Sequence, residues 1–130
     1  DTALFAFQSA LDQLGVSDQV TTFSMSEFSR TLTSNGNGTD HAWGGNVFVL
    51  GGAVSGQRIF GTYPSLLLGS GNPQEVGGGS LIPTTSTDAY FAELALWYGV
   101  APSDLATLFP NIGYFYNTGS GSGRPIGFLR

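Results

Sequence analysis

The sequence predicts an α/β fold, and three observations carry that expectation. A helical periodicity at the N-terminus gives way within a few residues to a strand. Two short β-rich runs flank a glycine-bearing connection in the middle, and a well-capped helix follows in the last third. At 130 residues the chain is expected to form a single domain or half-domain.

The first helix is expected over about residues 2–14, with Leu4, Phe7, Leu11 and Leu14 on one face and Gly15 as its C-cap. "VTTFSMSEF" (20–28) then reads as a strand. Val20, Phe23 and Met25 do not alternate strictly, which suits a strand covered on both faces, with Glu27 at or just past its carboxyl end. Open α/β sheets bind ligands beyond the carboxyl ends of their strands, and Glu27, Arg30, Asp40 and His41 all fall on or after that end.

Residues 46–50 ("NVFVL") and 57–60 ("QRIF") flank "GGAVSG" and read as a two-stranded β-hairpin excursion. From 61 to 86 the chain is loop-like, with Pro64, Pro73 and Pro83, although "SLLL" (65–68) calls for burial. "STDAYFAELALWYG" (86–99) is the clearest helix, with Ser86 or Thr87 as N-cap and Asp88 in the first turn. Its apolar stripe runs through Tyr90, Leu94 and Trp97, is widened by Phe91 and Tyr98, and ends at Gly99. "APSDLATLFPN" (101–111) supplies a second, two-turn helix capped by Ser103 and closed by Pro110. Residues 117–130 read as a flexible Gly/Ser tail with an apolar end, Ile126, Phe128 and Leu129.

Charged residues make up only 10% of the chain, against roughly a quarter in ordinary globular proteins, so Ser, Thr, Asn, Gln and Gly must form the surface. Four cations, all Arg, against nine acids give a net charge of −5, which argues against a nucleic-acid partner. There is no Cys and hence neither a disulfide framework nor a thiolate metal site. No apolar run approaches the roughly 20 residues of a membrane span. The sequence enters at once on helical periodicity at Asp1, as expected of a chain cut from something longer.

The only histidine, His41, follows Asp40 in the stretch "TSNGNGTDHAWGGN" (33–46). Imidazole and carboxylate together suit Zn, Mn or Fe, so Glu27, Asp40 and His41 form a candidate ligand set with positions left for water or substrate. The alternative is a polar turn in which Asp40 caps its own backbone. Arg30 can clamp a phosphate or sulfate oxygen bidentately, or form a structural ion pair with Glu27 or Asp40. Ser26, Ser29, Thr31 and Thr39 lack the arrangement of a serine hydrolase, and without any Lys the glycine clusters form no phosphate loop.

"SEFSRT" (26–31) and "NGNGTDH" (35–41) together resemble a family of uncharacterised bacterial proteins exported through the twin-arginine pathway and distantly similar to alkaline phosphatases and sulfatases. In that family a strand ends in Ser/Thr-Glu-Phe-Gly-Arg-Thr and is followed by a Gly/Asn-rich loop ending in Asp-His. The resemblance continues through "GGAVSGQRIFG", "LIPTTSTDAYFAELALWYGV" and "LFPNIG"; Ser29 and Ala42 stand where the family commonly has Gly. It implies the C-terminal half of an alkaline-phosphatase-like sheet with flanking helices. It further implies an exported, periplasmic or extracellular location and a divalent metal held by Glu27, Asp40 and His41, with Arg30 and Glu27 in catalysis. The nucleophile-bearing N-terminal half would then be a separate partner.

Two functions follow as expectations. The first is part of a metal-dependent hydrolase acting on small anionic phosphate or sulfate esters. The second is a non-catalytic exported structural module that self-associates, since a surface with few charges has little repulsion to keep strand edges apart.

Overall fold

The computed structural model describes residues 1–117, 119 and 123–130. The chain divides into two compact units, where the sequence led to the expectation of a single domain or half-domain. The first comprises Asp1–Ser24, Phe48–Phe60 and Thr87–Arg130, and the second Met25–Val47 and Gly61–Ser86. The architecture is small and mixed α/β, with two separate two-stranded antiparallel sheets. No helix among the described residues is long and apolar enough to cross a membrane.

In the first unit, helix α1 spans Thr2–Leu14 and ends at Gly15, whose left-handed backbone (φ 70°) lets its N–H reach back to the Asp12 carbonyl. Of the expected apolar face only Leu11 is buried; Phe7 is half exposed and Leu14 lies in solvent. A single 3₁₀ turn, Ser17–Gln19, leads to strand β1, Thr21–Phe23.

Strand β1 is far shorter than the expected 20–28 and is not covered on both faces: it pairs antiparallel with one strand, and Phe23 is 40% exposed. Its partner is Val49–Gly51, in the register Thr21↔Gly51, Thr22↔Leu50 and Phe23↔Val49. The ladder stops because the groups that would continue it are diverted. The Ser24 N–H still donates to the Phe48 carbonyl, but the Ser24 carbonyl accepts the Tyr90 hydroxyl at 3.0 Å. The Phe48 N–H turns instead to Ser24 Oγ at 2.9 Å.

The expected hairpin of 46–50 with 57–60 does not form. Gln57 adopts φ 63°, a left-handed conformation that interrupts an extended run. Residues 53–55 pair instead with the C-terminal segment, through an antiparallel bridge between Val54 and Leu129.

The helix expected over 86–99 is present as α2, Thr87–Tyr98. Tyr90 and Leu94 pack with Ala53, Phe128 and Leu129, while Phe91 and Trp97 flank that cluster. A second cluster, Ala92 with Leu105 and Ile112, packs on another side of the same helix. Burial from two sides explains why this helix is apolar nearly all round. Tyr98, expected to widen the stripe, is 86% exposed. The following two-turn helix is split into a 3₁₀ turn, Pro102–Asp104, and an α-helical turn, Leu105–Leu108. Ser103 bonds the neighbouring Asp104 carboxylate and caps nothing.

The apolar end of the expected tail belongs to the core: Phe128 and Leu129 are 3% and 4% exposed. Residues 118 and 120–122 of that tail lie outside the described residues.

The second unit is built on a hairpin, Ser29–Ser34 paired with Thr39–Ala42, and on the long segment 61–86. Numbered in chain order, the hairpin strands are β2 and β3, and Val49–Gly51 is β4. The loop-like reading of 61–86 holds, but the segment is internally bonded. Asn72, 2% exposed, donates to the carbonyls of Ser65 and Leu67 and accepts from the Gln74 N–H. The Glu75 carboxylate gathers the N–H groups of Gly69, Gly77 and Gly79. Leu66, Leu67 and Leu68 nevertheless remain exposed, contrary to the burial their sequence calls for. Gly79 accepts the Leu32 N–H and sits so close to that strand that a Cβ would stand 2.8 Å from the backbone nitrogens of Leu32 and Thr33.

Candidate functional site

The Asp-His pair lies on a strand, not in a loop. "NGNG" (35–38) is the turn of the β2–β3 hairpin, closed by the Asn35 N–H donating to the Gly38 carbonyl at 3.0 Å. Asn35 Oδ1 accepts the Asn37 N–H, and Ser34 Oγ accepts the Gly36 N–H, so side chains satisfy the turn where the ladder cannot. The flanking residues pair as Ser34↔Thr39, Arg30↔His41 and Ser29↔Ala42, with an irregularity between Arg30 and Ser34.

This register sorts the predicted residues onto two faces. Residues directly opposite in an antiparallel pair share a face, whereas successive residues on a strand leave on opposite faces. Arg30 and His41 therefore stand together, and Asp40 lies on the other side. There the Asp40 carboxylate accepts Asn35 Nδ2 at 2.7 Å, and its backbone N–H donates to Thr31 Oγ1 at 3.1 Å.

On the first face, the His41 ring stacks on Phe28, with centroids 3.5 Å apart and planes inclined by 13°. The Arg30 guanidinium carbon lies 5.2 Å from the centroid of the same ring, and its Nη1 donates to the Thr39 carbonyl at 2.8 Å. Phe28 thus anchors both side chains, and the carbonyl bond fixes one edge of the guanidinium fork. The remaining guanidinium donors and the imidazole N–H are on an exposed strand face. Asn35 and Phe28 are the neighbours whose contacts with these side chains the motifs do not reveal. The signal for Phe28 is its spacing: it lies two residues before Arg30, where the alternation of β2 would continue past its first residue, Ser29.

Glu27 is exposed and precedes β2 by two residues. The described residues contain no group of three or more His, Asp and Glu side chains able to hold a metal ion. Glu27, Asp40 and His41 are thus not brought together as a ligand set, because strand alternation turns Asp40 away from His41. A divalent ion does not fit these three residues as they stand.

The first unit has a cleft of about 520 Å³ lined by Val20, Thr21, Phe23, Leu94, Trp97 and Val100, among others. It is predominantly apolar and contains none of the candidate site residues Glu27, Arg30, Asp40 and His41.

No curated protein and no solved structure matches the chain. The model of a family described as "Protein of unknown function (DUF1501)" matches residues 1–74, which include Glu27, Phe28, Arg30, Asp40 and His41. That match covers more than half of the sequence, and the chain belongs to this uncharacterised family.

Proposed function

We propose that the chain is part of an exported hydrolase of small anionic phosphate or sulfate esters, in which the β2–β3 hairpin binds the ester's oxyanion. The observation that carries this reading is the pairing of Arg30 with His41 on one exposed face, over the ring of Phe28. The resemblance of "SEFSRT" and "NGNGTDH" to exported relatives of alkaline phosphatases and sulfatases supports the reaction class and the location.

In this reading Arg30 presents its free N–H pair to two oxygens of the anion, a geometry that a Lys ammonium does not reproduce. His41 donates a further N–H from the neighbouring strand, and Phe28 keeps water off one side of both donors. Asp40 holds the turn through Asn35 and so sets the height at which His41 is presented. A Zn, Mn or Fe ion, implied by the resemblance, would require ligands beyond Glu27, Asp40 and His41.

Binding of 4-nitrophenyl phosphate and 4-nitrophenyl sulfate, compared with the uncharged acetate ester, tests the proposal. Saturable binding of the charged esters alone is expected, weakened about 10- to 100-fold in Arg30→Gln, as for loss of a charge-assisted hydrogen bond. Equal binding of all three esters, or unchanged affinity in the variant, overturns it.

A second reading, a self-associating structural module, is favoured by the exposure of Phe5, Leu14, Trp43 and Ile59, each more than 70% accessible. A mass that rises with protein concentration, together with no preference for charged esters, is the outcome that supports it.

A further inference from the structure

The chain contains two Asn-Gly pairs, Asn35-Gly36 and Asn37-Gly38, and both lie in the exposed turn of the β2–β3 hairpin. Such a pair is chemically reactive. Glycine carries no Cβ to shield its backbone nitrogen, so that nitrogen can close a five-membered ring on the amide carbon of the preceding asparagine. The turn treats its two pairs differently.

Asn35 is held at both ends of its side-chain amide. Nδ2 donates to Asp40 Oδ1 at 2.7 Å, a bond strengthened by the charge of the carboxylate, and Oδ1 accepts the Asn37 N–H at 3.0 Å. The nitrogen that would attack it, that of Gly36, is engaged as well, donating to Ser34 Oγ at 3.1 Å. Asn37 has neither restraint. Among the described residues no group bonds its side-chain amide, and none accepts the Gly38 N–H. Gly38 has φ 154°, and a Cβ added there would meet nothing within 4 Å, so the surroundings of this pair are open to water.

We infer that Asn37 is a site of spontaneous modification, at which the side-chain amide is converted to a carboxylate ahead of Asn35. The Gly38 nitrogen gives its proton to solvent and attacks Asn37 Cγ. A bond from Cγ to that nitrogen forms, the Cγ–Nδ2 bond breaks, and Nδ2 takes up a proton and leaves as ammonia. Water then opens the cyclic imide. Cleavage of the new bond at Cγ gives aspartate, and cleavage of the original backbone C–N bond gives isoaspartate; nothing is oxidised or reduced. Either product adds negative charge to the turn. The isoaspartyl form also inserts the Cβ methylene into the main chain, inside the ring that the Asn35 N–H closes on the Gly38 carbonyl.

The full wild-type chain, incubated in mildly alkaline buffer and sampled over days, is the test. Peptide mapping by mass spectrometry assigns the mass gain to each asparagine, and electron-based fragmentation separates isoaspartate from aspartate. In the folded chain Asn37 is expected to convert at least about tenfold faster than Asn35, whose two side-chain hydrogen bonds must break first. In the urea-unfolded chain, where those bonds are gone, the two rates are expected to agree within about threefold. Conversion of Asn35 as fast as Asn37 in the folded chain, or no conversion at either, overturns the inference. An undiminished preference for Asn37 after unfolding overturns it too, since the fold would then not be its cause.

Discussion

At the scale of single residues, two carboxylates in this chain do structural work by gathering backbone N–H groups. Glu93, fully buried in α2, does so in the interior with the N–H groups of Ile126, Gly127 and Leu129. Glu75 does so in the glycine-rich loop, where the Gly79 N–H is the main influence and that of Gly69 the next. Partial burial opposes them, and the Gly77 N–H adds to them; the balance holds the Glu75 carboxyl below its ordinary value of 4.5. A depressed folded value means that the stability Glu75 contributes is fully present above the unfolded value and is lost as pH falls through the folded one. The amide resonances of Gly69, Gly77 and Gly79 are therefore expected to titrate together with a midpoint below 4.5, and not at all in Glu75→Gln. Separate titrations, or a shared midpoint above 4.5, would show that the carboxylate does not organise the loop.

These bonds were illegible in the sequence for a simple reason. A carboxylate four residues before Gly79, or 33 before Ile126, carries no local mark of which amides it will meet. His41 was legible as a candidate because it is the chain's single imidazole. Its stacking on Phe28 was not, because it depends on the Arg30↔His41 register that joins the two strands.

At the scale of elements, the two principal helices were legible from caps and periodicity. Gly15 ends α1 as its sequence predicts, and α2 starts and stops within a residue of the expected bounds. The strands were not, because local pattern does not reveal partners. "NGNG" between "RTLTS" and "TDHA" has the turn chemistry of a hairpin, yet it reads equally as a loop until the register is known. The one-stripe reading of α2 likewise missed its second contact face. Leu105 and Ile112 are 0% and 1% exposed against Ala92. Leu105→Ala is expected to lower unfolding free energy by about 2–5 kcal/mol, the range for truncating a leucine in a closed core. A denaturant-unfolding difference below about 1 kcal/mol would mean that this second cluster is not tightly packed.

At the scale of the whole molecule, low charge and large exposed apolar side chains go together. With only 13 charged side chains, solvent meets many aromatic and aliphatic groups directly, Tyr98 and Tyr114 among them at 86% exposure each. Such a surface is suited to being covered by further copies of the chain, as in the second of the two readings of function. What distinguishes them is the paired Arg30 and His41, which an association module does not require. The family match includes that hairpin and ends at residue 74, before α2 and the C-terminal segment.

The central claim is that the exposed face of the hairpin binds an oxyanion through these two side chains. Titration of the chain with inorganic phosphate, followed through the Arg30 guanidinium and His41 ring resonances, tests it most directly. The account predicts saturable shifts at both residues with one common dissociation constant, abolished in Arg30→Gln. Shifts that stay linear in phosphate, or that persist unchanged in that variant, would contradict it.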